Sequence, residues 1–236
     1  WNEYFASVQE LMNESPPPAT DGAQLRRISA IMKPGARFDA ARFSPADVEE
    51  IKAGIADAQA TLIEFRKNVR IVNGWTLSAL DTGDYNQNYL QRASVAIGGL
   101  GALPRQEAIY FGARGPDGFT GFDSAKNWKL TFAASELPPV DSFWSLSLYW
   151  RTEDGQLFFA QNPTHLVAIG DRTPGLKREA DGGFTIWLTR TDPGGDASSN
   201  WLPTTATDRF FLTMRAYFPR QEMLDGRYVF PKVTEI

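Results

Sequence analysis

The sequence predicts an α+β protein: an N-terminal helical segment (1–102) packed on a C-terminal antiparallel, jelly-roll-like β-sandwich (103–236). Three observations carry this reading. Up to about residue 102 the apolar residues recur three and four apart, as on one face of a helix. From Leu103 onward, short segments of period two alternate with Gly, Pro, Asp and Asn clusters. And Leu137–Trp150 (LPPVDSFWSLSLYW) couples a proline turn to a strand with one wholly apolar face, made of Trp144, Leu146, Leu148 and Trp150.

Taken in order, the first helix carries Trp1, Phe5, Val8 and Met12 and stops at Ser15-Pro16-Pro17-Pro18. Asp21 is placed to cap a second, bearing Leu25, Ile28 and Met32. Ser44-Pro45 with Asp47 is a strong N-terminal signature for a third helix. Its stripe of Val48, Ile51, Ile55, Ala58, Leu62 and Phe65 is expected to be buried along a partner surface. A fourth helix is expected from about Asn86 to Ile97, ended by Gly98-Gly99.

Seven strands are expected after it: 107–111, 128–132, 143–150, 157–160, 166–169, 184–190 and 210–218. Asp117-Gly118, Asp154-Gly155 and Asp181-Gly182-Gly183 punctuate them as turns. The segments Phe184–Arg190 and Phe210–Phe218 share the period of Phe143–Trp150, and both are expected to pair with it.

Composition excludes several classes. With a net charge of −4 and a pI near 5.2 there is no electrostatic footprint for nucleic acid and no polybasic membrane patch. No apolar run approaches the ~20 residues of a membrane helix. The absence of Cys removes disulfides, thiolate metal ligands and a Cys nucleophile. His165 is the single imidazole, so one chain lacks the ligands for a transition-metal site, and no motif asks for a cofactor. The chain opens at Trp1 without an initiator Met, which reads as a removed leader or upstream domain, or as part of something longer.

Several motifs in one order resemble a known family. Leu137-Pro138-Pro139 followed by Phe143-Trp144-Ser145-Leu146-Ser147-Leu148-Tyr149 is similar to the signature of the domain of unknown function numbered twelve-fourteen. So are Ile169-Gly170-Asp171-Arg172, Asp181-Gly182, Asn200-Trp201-Leu202-Pro203, Arg215-Ala216-Tyr217-Phe218-Pro219 and Asp225-Gly226. Upstream, Tyr89-Leu90-Gln91-Arg92-Ala93 and Gly99-Leu100-Gly101-Ala102 resemble the helical lead-in of two-part members, which place a domain numbered twelve-fifty-four first. The resemblance implies a helix-preceded jelly roll in bacterial, often exported proteins, hence a periplasmic or secreted location. It supplies no reaction. Trp150 stands where members tend to have an acid, and His165 where an aromatic is expected.

Catalytic signatures are otherwise missing: no G-x-S-x-G elbow, phosphate-cradling loop or H-E-x-x-H occurs. Glu136, Asp141, Asp171 and Asp181 fall near strand ends, where two carboxylates across a cleft could act as acid and base. Asp181-Gly182 also reads as a turn, and Asp171 with Arg172 as a loop-fixing pair. The run Asp192–Ser199 before Trp201 reads as a long connection pinned by that ring, or as a lid.

The pleat supplies the leading site. If Trp144, Leu146, Leu148, Phe184, Ile186, Leu188, Phe210, Leu212 and Met214 face the core, the other parity carries Ser145, Ser147, Tyr149, Thr185, Trp187, Thr189, Thr213, Arg215 and Tyr217. Rings, hydroxyls and a guanidinium suit a carbohydrate or similar polar organic ligand, with Tyr149, Trp187, Arg215, Tyr217 and Ser145 as binding residues. Two other readings stand beside it: a hydrolase or lyase using loop carboxylates, and an assembly module for an upstream domain or a homo-oligomer.

Overall fold

The computed structural model describes residues 1–159, 162, 164–204 and 208–236. The chain divides into two compact units, one of residues 1–68 with 85–98 and one of residues 69–84 with 99–236.

In the helical unit, α1 spans Asn2–Glu14, α2 Gly22–Ile28, α3 Pro45–Lys67 and α4 Tyr89–Gly98. The expected start of α3 is realised as a full capping box. The Ser44 hydroxyl accepts from the Asp47 amide at 3.2 Å, and the Ser44 amide donates to the Asp47 carboxylate at 2.9 Å. The Ser44 hydroxyl, donating to the Asp47 carboxylate at 2.8 Å, and the Ser44 amide hold the Asp47 pKa below its usual value. Two expectations need correction here. Asp21 does not cap α2. It is buried and accepts from the Tyr89 hydroxyl at 2.8 Å and from Arg92 at 3.4 Å, tying α4 to the start of α2. The stripe on α3 is only half-buried, with Ala58 exposed. Its neighbour α4 has 10 residues against 23 in α3, and so short a helix cannot cover so long a face. The start of α4 falls later than expected because Asn86 sits at φ 46°, outside helical space.

The sheet unit begins with a hairpin that the sequence reading leaves inside the helical segment. Its strands, β1 (Ile71–Val72) and β2 (Trp75–Leu77), join through Asn73-Gly74 at φ 51° and 82°, the paired positive values of a type I′ turn. Then come β3 (Ala108–Ala113), β4 (Phe122–Asp123), β5 (Trp128–Phe132), β6 (Trp144–Arg151), β7 (Leu157–Phe159) and β8 (Ala168–Gly170). Next are β9 (Phe184–Leu188), β10 (Arg209–Tyr217), the short helix α5 (Gln221–Leu224) and β11 (Thr234–Glu235). Each of the seven expected strands has its counterpart, shifted by one or two residues at most ends. Ala160, the expected end of β7, lies outside the described residues.

These strands form two antiparallel sheets. The larger runs β1-β2-β3-β10-β6-β7, with β4 also on β10 and β8 also on β6; the smaller runs β11-β5-β9. One expected pairing is therefore corrected. Phe210–Phe218 does pair with β6, but Phe184–Leu188 pairs with β5 in the other sheet, from Trp128↔Leu188 to Phe132↔Phe184. Period alone gives each strand its two faces, not its neighbour.

The inward parity is as read from the sequence. Trp144, Leu146, Leu148, Phe184, Ile186, Leu188, Phe210, Leu212 and Met214 are all buried and belong to one hydrophobic cluster drawn from both sheets. Trp144 of the large sheet stacks on Phe184 of the small one, centroids 5.3 Å apart and planes 1° apart. The proline turn ahead of β6 is latched to the end of β10. Arg220 donates from its amide to the Pro139 carbonyl at 2.9 Å and from its side chain to Asp141 at 2.7 Å. Tight turns carry their own side-chain bonds. Asp117 accepts from the Phe119 and Thr120 amides and the Thr120 hydroxyl, which together hold its carboxyl down to about 2.

Candidate functional site

Register fixes what the outward face of the large sheet presents. Opposite one another on β6 and β10 stand Ser145 with Arg215, Ser147 with Thr213, and Tyr149 with Phe211. Tyr110 of β3 flanks Arg215 on its other side. Just beyond β6, Phe143 continues the outward parity and stacks on Tyr217 at 4.3 Å.

Arg215 organises this face. Its guanidinium is half-buried and donates to the Ser147 hydroxyl at 2.9 Å and to the Tyr149 hydroxyl at 2.6 Å, lying 5.8 Å from that ring's centre. Among the described residues it forms no ion pair. Two neutral hydroxyls orient the group without neutralising it, and a guanidinium has five N–H donors to place. The Tyr149 ring is itself backed by Phe159 of β7 at 4.9 Å.

Four of the five expected binding residues, Ser145, Tyr149, Arg215 and Tyr217, thus share one face. Trp187 does not join them. It has the outward parity of β9, which belongs to the small sheet, so it looks away from the shared core on the opposite side from Tyr149. There it is bridged to Trp201, whose indole N–H donates to the Thr189 carbonyl at 2.9 Å. The Asp192–Ser199 run ahead of Trp201 is bonded within itself. Asp192 accepts from the Gly194 amide and the Ser198 hydroxyl, and the buried Asn200 exchanges two bonds with the Lys177 backbone at 2.8 and 2.7 Å.

Two residues of the face escape sequence reading, Arg151 and Arg172. Arg151 continues the parity of Tyr149 and lies over the Phe211 ring at 4.7 Å. Arg172, in the loop after β8, lies over Phe143 at 4.2 Å and donates to the Ser142 hydroxyl at 3.3 Å. The parity signal for Arg151 was present; nothing local points Arg172 at Phe143.

The loop carboxylates are each engaged singly. Glu136 accepts from the Ala133 amide, Asp141 from Arg220, Asp171 from the Trp144 amide at 3.2 Å, and Asp181 from the Gly183 amide at 2.9 Å. His165 is exposed at φ 57° in its loop. No group of three His, Cys, Asp or Glu among the described residues is placed to hold a metal ion, and no helix is long and apolar enough to cross a membrane. Two shallow clefts lie away from the Arg215 face, one by Trp75, Phe111 and Tyr228 and one by Asn73, Pro116 and Lys232.

Residues 107–221, which hold β3 to β10, match the model of a family described as "Protein of unknown function (DUF1214)". This sheet-forming stretch belongs to that family. Every outward residue named above falls inside the DUF1214 match. No curated protein matches the chain. Among solved structures, the VPA0106 protein from Vibrio parahaemolyticus, a Northeast Structural Genomics Consortium target, is similar with a TM-score of 0.64 and 22% identity. The likeness covers 95% of this chain and 53% of that one. At that identity the likeness shows the fold, and this chain spans about half of that protein's length.

Proposed function

We propose that the protein binds a carbohydrate or similar polar organic molecule on the outward face of its large sheet, within a jelly-roll-like arrangement of the two sheets. Arg215, Tyr149, Tyr217 and Ser145 are its contacts, with the buried Ser147 hydroxyl orienting Arg215. The observation that carries this reading is the Arg215 guanidinium, half-buried, oriented by two hydroxyls and facing no carboxylate among the described residues. Two neutral hydroxyls orient this guanidinium without neutralising it, leaving further N–H donors for a ligand. Flanking rings and hydroxyls supply stacking and hydrogen bonds of the kind a sugar uses. Trp187 has no part in the site, because its sheet faces the other way. The family resemblance supports a bacterial, exported setting.

The rival hydrolase or lyase reading has less behind it, since Glu136, Asp141, Asp171 and Asp181 each hold a separate loop. An assembly role finds support elsewhere, in β7, whose Leu157, Phe158 and Phe159 are 37, 49 and 52% exposed.

Arg215→Ala separates a site from a structural face. In a binding site the variant keeps its melting temperature within a few degrees and loses ligand affinity by about tenfold or more. A large fall in melting temperature with unchanged saccharide binding, measured by scanning fluorimetry and glycan-array retention, would refute the reading.

A further inference from the structure

Along α3 the positions Val48, Ile51, Ile55, Ala58, Leu62 and Phe65 alternate strictly three and four apart, the seven-residue repeat of a coiled coil held through three repeats. A helix that packs into the core of its own domain broadens such a stripe with a further apolar position in each repeat. Here the bordering positions hold Asp47, Lys52, Gly54, Gln59, Thr61 and Arg66, with no large apolar side chain among them. A seam this narrow suits one long partner helix.

Among the described residues, no other helix of this unit matches it in length: α1 has 13 residues, α2 has 7 and α4 has 10, against 23 in α3. The seam is accordingly only half-buried, and Ala58 near its middle is exposed.

We propose that α3 pairs antiparallel with α3 of a second copy of this chain, the twofold axis passing between Ile55 and Ala58. In that arrangement the stripe is its own complement. Ile55 meets Ala58 of the second copy, Ile51 meets its Leu62, and Val48 meets its Phe65, so the smallest seam residue faces a branched one and the largest faces valine. A parallel pair would set Ala58 against Ala58 and Phe65 against Phe65, leaving a gap at one layer and crowding another. Charge selects the same direction. Asp47, Glu49 and Glu50 lie in the first two turns of α3, and Arg66 and Lys67 in the last. Antiparallel pairing brings the acidic end of each helix to the basic end of the other, where a parallel pair sets acid beside acid. The contact is the same patch on both copies and closes at two subunits.

Sedimentation velocity of the full chain over a range of concentrations should reveal a species of twice the 26.3 kDa chain mass. Ala58→Glu buries a charge at the centre of the seam from each copy and should weaken association by about a hundredfold or more. Ala58 is exposed in the single chain and Glu is a good helix former, so this variant keeps the fold. Ala60→Glu, on the opposite side of α3, should leave association unchanged. The direction of pairing is read without any change to the seam. The chain has no Cys, so Asp57→Cys and, separately, Glu49→Cys each carry one spin label. In the antiparallel dimer the labels at position 57 lie much closer together than those at position 49; in a parallel dimer the two distances agree. A chain that stays monomeric at every concentration, a dimer indifferent to Ala58→Glu, or equal label distances overturns the proposal.

Discussion

Phe184→Ala is expected to remove about 4 kcal/mol of stability, the range for emptying a fully buried aromatic position. Phe184 has no exposed surface and stands where the two sheets meet, between Trp144 at 5.3 Å and Phe132 at 4.9 Å. Those neighbours are rigid rings on different strands, so the cavity cannot close by a rotamer change. Phe184→Leu, which keeps much of the volume, should cost about 1.5 kcal/mol. Urea unfolding with an unchanged slope is the measurement. A loss below about 1 kcal/mol for the alanine variant would mean that the sheets do not share a packed core.

Arg105→Ala ranks second, at about 3 kcal/mol. This guanidinium is only 8% exposed and has no carboxylate partner among the described residues. It donates instead to backbone carbonyls, Ser78 at 3.1 Å, Leu224 at 3.1 Å and Met223 at 3.5 Å. Burial lowers its pKa, but an arginine remains charged at neutral pH. Carbonyls at the end of α5 carry partial negative charge, which offsets part of the desolvation cost. Alanine leaves these acceptors facing a void and unties the segment after β2 from the end of α5. Lysine keeps the charge without the fork, and should recover less than half of the loss. A loss under about 1 kcal/mol by the same unfolding measurement would show that water replaces the side chain freely.

How much of this was legible in the sequence depended on whether the information was local. Parity is local: a residue and its second neighbour share a face, so Trp144, Leu146 and Leu148 could be placed inward and Tyr149 outward without a structure. The α3 cap was equally legible, because Ser44 and Asp47 satisfy each other. Strand pairing is not local. Phe184–Leu188 has the same alternation as β10, and only the fold sends it to β5, carrying Trp187 to the wrong side of the molecule for a site at Tyr149. The β1–β2 hairpin was missed although Asn73-Gly74 between apolar residues is a strong hairpin signal; its strands are two and three residues long, too short to show a period. Arg215 was found by parity, as Arg151 could have been two residues past Tyr149. That neither meets an acid is a fact of three dimensions.

The central claim, that Arg215 grips a ligand on the outward face of the large sheet, is tested most directly by nuclear magnetic resonance of arginine side chains. In a titration with a saccharide that the protein retains, the Nε–Hε signal of Arg215 should shift and saturate with binding, while that of Arg105, buried among carbonyls, stays in place. An Arg215 signal that remains fixed while the saccharide binds elsewhere would contradict it.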